Sequence, residues 1–172
     1  MHKMKALQKN NRRKKLQPLP YYIRMPKILH STVKKQMSGS IFLDTNILVY
    51  AHTDIAIAKQ TIAQNLITNS YCFIRKQVLQ ELANTLHRKF RHDWGDVSSV
   101  LANALGNNNL HVDNYKTIST ACEIAARYGY SFYDSLVLSS AIECGCTRIY
   151  TEDLHDGQII DGKLTIENPF KQ

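Results

Sequence analysis

From Ser40 onward the chain alternates between two periodicities, and this alternation constrains its fold more than any other feature. The run "SIFLD" has strand character, and two helix-like stretches follow at about 45–52 and 55–68. "SYCFI" (70–74) is a second strand candidate. "QVLQELANTLHRKF" (77–90) sets Val78, Leu82, Leu86 and Phe90 at helical spacing, which predicts an amphipathic helix. A further helix is predicted over 96–105, closed by Gly106 and three Asn, and then a brief strand "LHV" (110–112). Helices follow over 115–129, with Gly129 at the C-cap position, and over 132–145, again closed by Gly. "RIYT" (148–151) and "LTIEN" (164–168) read as the last strands. Strands separated by helices imply an α/β fold, a parallel sheet with helices on both faces. In such sheets, sites form beyond the carboxyl ends of the strands, near the switch in strand order.

The charge is unevenly placed. The 172 residues hold 22 Lys+Arg against 14 Asp+Glu, a formal +8. Residues 1–37 contain 11 Lys+Arg and no acid, whereas the other 135 residues contain 11 Lys+Arg and all 14 acids, a net of −3. The basic character therefore belongs to an N-terminal segment. "NNRRKKLQPLPYY" has no apolar core of the kind a secretory signal needs. A run of this composition is expected to be solvated, so residues 1–37 read as a disordered or spurious extension. The alternatives are an RNA-binding arm and an organelle-targeting peptide. Met37, just before "SGSIFLDTN", is a natural start for the folded body of residues 38–172.

Several classes are excluded. No apolar run approaches the roughly 18 residues of a membrane span, so no membrane association is expected. Cys72, Cys122, Cys144 and Cys146 form no C-x-x-C pair, which argues against zinc. They are expected to be buried reduced thiols in a cytoplasmic protein. There is no P-loop, G-x-G-x-x-G or G-x-S-x-G.

What remains is a set of acids where the sheet rule places a site. Asp44 follows the first strand directly, and Asp153 follows "RIYT" after one residue. Glu81 lies about one turn into its helix and Asp134 in the first turn of its own. Each has an ordinary explanation. Asp44 suits a helix N-cap, Ser131 and Asp134 fit a capping box, Glu81 suits a helix surface, and Asp153 suits a turn. Together they point to one pocket. Carboxylates at close range stay ionised only with a cation between them, and hard oxygen ligands select Mg²⁺ or Mn²⁺. Such a cluster can clamp both sides of a phosphodiester and activate a water.

These residues resemble the PIN-domain ribonucleases, especially the VapC-like toxins of bacterial toxin–antitoxin pairs. "FLDTNILVYA" (42–51) is similar to the family's opening strand and helix, with Asp44 and Asn46 in its D-x-N motif. "QVLQELANTL" (77–86) places Glu81 at the family glutamate, and "SFYDSLVLSSAIECGC" (131–146) places Asp134 at its third acid. "RIYTEDLHDGQ" (148–158) resembles the T-x-D motif through Thr151 and Asp153, and "ENPF" (167–170) resembles the ending of one branch.

The resemblance, which spans residues 40–170, implies a Rossmann-like PIN domain and a Mg²⁺- or Mn²⁺-dependent endoribonuclease. Asp44, Glu81, Asp134 and Asp153 would be both catalytic residues and metal ligands. Asn46 would orient a ligand or water, Thr151 would support the pocket edge, and Asp156 would serve as a further ligand or outer acid. Glu152 is another acid near the fourth position, and His155 between them is expected to be a loop residue. Implied partners are an RNA substrate, an antitoxin protein in one reading, and a second subunit. Arg75, Lys76 and the basic stretch "HRKFRH" (87–92) are the candidate RNA contacts in the body. Two other readings remain open: a PIN nuclease of RNA processing without antitoxin, and a non-catalytic RNA- or protein-binding module.

Overall fold

A computed structural model of the protein describes residues 39–171. The expectations for residues 1–37 and for Met37 lie outside the described residues. The elements are β1 (Ile41–Leu43), α1 (Thr45–His52), α2 (Ile57–Asn69), β2 (Cys72–Arg75), α3 (Lys76–Arg88) and α4 (Trp94–Asn107). They continue with β3 (Asn109–His111), α5 (Tyr115–Tyr128), α6 (Phe132–Glu143), β4 (Arg148–Tyr150), β5 (Ile159–Ile160) and β6 (Leu164–Glu167). The strands form one sheet in the order β3-β2-β1-β4-β6-β5. Every pairing is parallel except β5 with β6.

Alternation along each strand sends side chains to two separate cores, as the strand period of two requires. Ile41 and Leu43 of β1 join Cys72 and Ile74 of β2 under α1, α2, α3 and α4. Phe42, between them, faces the other way and joins Ile149, Leu164 and Ile166 under α5 and α6. Helices therefore cover both faces, as the alternating pattern predicts. Among the described residues, no helix is long and apolar enough to cross a membrane.

The chain runs outward from β1 through β2 to β3, then returns to the other side of β1 as β4. The switch in strand order falls between β1 and β4. Register pairs Leu43 with Tyr150, so the two strands end level and Asp44 and Thr151 emerge side by side.

Three expectations are corrected. Ile159–Ile160 is an additional short strand, set antiparallel against Leu164 and Thr165. The helix expected over 96–105 begins at Trp94, because Asp93 caps it through the Asp96 N–H, and it runs through Gly106 to Asn107. Of the cysteines, Cys72 and Cys146 are buried, but Cys122 is exposed and Cys144 partly so. Cys122 lies on the outward face of α5, whose buried residues are Thr117, Ala121 and Ile124.

Candidate active site

The cleft at the β1/β4 switch is an open depression of about 200 Å³. All four acids singled out in the sequence line it: Asp44, Glu81, Asp134 and Asp153. They arrive on separate elements, from the end of β1, the middle of α3, the first turn of α6 and the loop after β4.

Asp44 is held by its own helix and by the neighbouring strand. Its Oδ1 accepts from the Thr45 N–H at 2.7 Å, so it is also the N-cap of α1. Its Oδ2 accepts from the Thr151 hydroxyl at 2.8 Å. Burial pushes the Asp44 carboxyl above the ordinary carboxylate range, the Thr151 and Thr45 hydrogen bonds work against that, and the negative charges of Asp153 and Glu81 add to it. The cleft therefore holds a carboxylate that gains from a nearby positive charge.

The other acids are oriented by short hydrogen bonds. Asn46 donates Nδ2 to Asp153 Oδ2 at 3.0 Å and to Thr151 Oγ1 at 3.3 Å, and Thr151 Oγ1 also accepts the Asp153 N–H. Glu81 accepts from Thr45 Oγ1 at 2.5 Å and from Gln77 Nε2 at 2.6 Å, one helical turn away. Asp134 accepts from Ser131 Oγ at 2.7 Å, while Ser131 Oγ accepts the Asp134 N–H and caps α6. The cap role and the pocket role therefore coexist at Asp44, whereas at Asp134 the cap belongs to Ser131 and the carboxylate accepts from the Ser131 hydroxyl without completing a capping box.

The donor set suits a hard divalent cation in chemistry: four carboxylates, plus Asn46 Oδ1, which is buried and has no hydrogen-bond partner. In spacing the acids are spread. Among the described residues, no group of three or more His, Cys, Asp or Glu side chains stands close enough together to hold a metal ion.

Two acids near the fourth motif have other partners. Asp156 accepts from the Asn168 N–H and pairs with Lys171 at 3.4 Å; it does not line the cleft. Glu152 is engaged by Lys59 and by the Tyr50 hydroxyl. Burial works to raise its carboxyl, but those two hydrogen bonds hold it below the ordinary range.

Thr45, Gln77 and Tyr133 also line the cleft and are not singled out by any sequence motif. Arg75 lines it as well, almost wholly buried at 3% exposure. Its Nε and Nη2 donate to Asp113 at 3.1 and 2.5 Å, leaving Nη1 without a partner. Burial raises the Asp113 carboxyl, but the Arg75 hydrogen bonds and charge, with Ser140 and His111, bring it below its usual range. Tyr133 is 65% exposed and meets Phe132 edge to face, with ring centroids 5.8 Å apart.

The family model of the PIN domain matches residues 41–155, two thirds of the chain. No curated protein matches. Three solved structures are similar in fold. A toxin–antitoxin complex from Klebsiella pneumoniae has a TM-score of 0.58 at 17% identity, covering 77% of this chain and 99% of that one. VapC20 of Mycobacterium tuberculosis, a toxin that cleaves the sarcin–ricin loop, has a TM-score of 0.54 at 20% identity, covering 66% and 91%. VapBC2 of Rickettsia felis, bound to a DNA fragment from its promoter, has a TM-score of 0.50 at 22% identity, covering 66% and 88%. At these identities the likeness is one of fold.

Proposed function

The chain belongs to the PIN-domain family, and from that premise we propose that it is a toxin-type endoribonuclease that hydrolyses RNA phosphodiesters with Mg²⁺ or Mn²⁺. The observation that carries the reading is the gathering of Asp44, Glu81, Asp134 and Asp153 in one cleft at the strand-order switch. Carboxylates that face one cleft repel one another, as Asp153 and Glu81 do Asp44, and a cation bound among them relieves that repulsion.

Asp44, Glu81, Asp134 and Asp153 would hold the cation, with Asn46 Oδ1 as an additional oxygen. A bound divalent ion lowers the pKa of a water and stabilises charge on the phosphoryl oxygens. The chain's own residues supply position. Thr151 fixes Asp44, Asn46 fixes Asp153, Thr45 and Gln77 fix Glu81, and Ser131 fixes Asp134. No nucleophilic side chain is needed.

An antitoxin that covers the cleft is the natural partner for a nuclease of this type, and the similar structures include toxin–antitoxin complexes. RNA as substrate and a cytoplasmic setting belong to the same reading. A processing nuclease without antitoxin would share the cleft, and the presence of an adjacent gene for a small DNA-binding protein separates the two.

The test is cleavage of single-stranded RNA with Mg²⁺, with Mn²⁺ and with a chelator. Cleavage that needs the metal and disappears in Asp153→Asn supports the reading. Metal-independent cleavage, or none in any condition, overturns it in favour of a binding module.

A further inference from the structure

Without its cation, a cleft lined by four carboxylates repels the phosphates it is meant to cut, so affinity for RNA in that state comes from outside it. Of the body's 11 Lys and Arg, five pair with a carboxylate among the described residues, and the unpaired ones gather most densely at 88–91. Lys59, Arg75, Arg127, Arg148 and Lys171 each pair with a carboxylate. Arg88, Lys89 and Arg91 are exposed and form no ion pair among the described residues. Lys89 rests over the Phe90 ring, 5.8 Å from its centroid.

An aromatic platform adjoins these three cations. Trp94 is 60% exposed, and its indole stacks on the His87 ring with centroids 4.0 Å apart and planes 21° from parallel. His87 is braced in turn, its Nδ1 lying 3.0 Å from the His92 carbonyl. Two acids stand nearby, Asp93 and Asp96. Both sit at the start of α4, where Asp93 accepts the Asp96 N–H and the positive end of the helix offsets their charge.

The patch is joined to the cleft by α3. Gln77 and Glu81 line the cleft from that helix. Arg88 follows Glu81 by seven residues, two helical turns, so it lies on the same face about 10 Å further along.

Resting on the ribonuclease reading, we propose that this face of α3 is the track by which RNA leaves the cleft, with Arg88, Lys89 and Arg91 holding phosphates and Trp94, backed by His87, stacking a base. An exposed, pre-stacked indole beside unpaired cations is the combination that binds single strands without regard to sequence.

Trp94 is the only tryptophan in the chain, so the full-length protein carries its own reporter. The probe is a single-stranded RNA of about 20 nucleotides, in chelator to prevent cleavage. Trp94 emission should be quenched as the RNA binds. Trp94→Leu should weaken binding about tenfold. The triple variant Arg88→Gln, Lys89→Gln, Arg91→Gln should lower the salt slope of binding by about 2. The KM for RNA cleavage in Mg²⁺ should rise in step with the loss of affinity.

Silent Trp94 emission while RNA binds and is cleaved overturns the track and leaves the nuclease reading standing. Quenching without cleavage in any metal supports the track and overturns the nuclease. Unchanged RNA affinity with a changed oligomeric state in the triple variant overturns the track in favour of a protein interface.

Discussion

Thr151 and Asp44 lie 107 residues apart in sequence and share a 2.8 Å hydrogen bond at the level ends of β4 and β1. Thr151 is fully buried, and its single hydroxyl serves three neighbours: it donates to Asp44 and accepts from Asn46 Nδ2 and the Asp153 N–H. One oxygen therefore aligns two of the four acids.

Replacing Thr151 by Val keeps the shape and removes that oxygen. Stability should fall by about 1–3 kcal/mol, because buried polar groups lose their partner. The lost hydrogen bond is one that lowers the Asp44 pKa, so that carboxyl should move further up. The acid limb of the rate–pH profile should shift to higher pH, and the rate at its plateau should drop roughly 10–100-fold. Thr151→Ser should restore both. A Val variant with an unshifted profile would show that the hydroxyl does not tune Asp44.

Asp134 carries two roles that substitution separates. The cap of α6 rests on Ser131 Oγ and the Asp134 N–H, neither of which Asp134→Asn alters. Stability should change by a few tenths of a kcal/mol, since Asn serves near a helix start about as well as Asp. RNA cleavage should fall at least a hundredfold. Near wild-type cleavage in this variant would remove Asp134 from the machinery.

Metal should stabilise the protein through Asp44 and its neighbours. A native-state carboxyl with a raised pKa keeps its proton longer than the unfolded chain does. Its contribution is thus most favourable below the ordinary carboxylate value and is lost as pH rises through the native value. At neutral pH without metal, Asp44→Asn should therefore melt at the same temperature as the wild type or above it. Mn²⁺ at a hundred times its dissociation constant should add about 2.7 kcal/mol to the wild type and much less to the variant. Thermal melts with Mn²⁺ and with chelator check both arms; identical shifts for the two proteins would place the ion elsewhere.

His52 gives the fold a separate response to acid. It is buried at the end of α1, and desolvation lowers its pKa from 6.5 to about 4. Between those values the unfolded chain binds the proton and the native protein does not. The associated stability is therefore complete above pH 6.5 and is lost as pH falls toward 4, to a total of about 3 kcal/mol. His52→Gln should flatten stability measured against pH over that interval. A wild type whose unfolding free energy from denaturant titrations falls no more between pH 7 and pH 5 than that of the variant would contradict this.

The strand and helix order was legible from residue 40 onward because each strand is an apolar run flanked by helical periodicity. The acids were legible because they lie at strand ends and helix starts. β5 was not, since Ile159–Ile160 is two residues in a turn-rich segment, and its pairing with β6 depends on contacts that only the folded chain makes. Cys122 was misread as buried because a thiol in a helix carries no mark of which face it takes. Thr45 and Gln77 escaped notice for a related reason: each matters through a partner, and only folding brings Thr45 to Glu81 from 36 residues away. Arg75, expected as an RNA contact, is instead buried against Asp113, a pairing that forms only when β2 and β3 lie side by side.

The order in which the cleft's walls appear along the chain carries a consequence for synthesis. Asp44, Glu81 and Asp134 emerge in turn, but β4, with Thr151 and Asp153 behind it, completes the sheet next to β1 only near the end of translation. A product that terminates before Arg148 lacks the strand that flanks β1 and the residues that align two acids. On the nuclease reading, the nascent chain holds an incomplete cleft until the segment from Arg148 to Asp153 is free, and chains cut short before Arg148 never complete it.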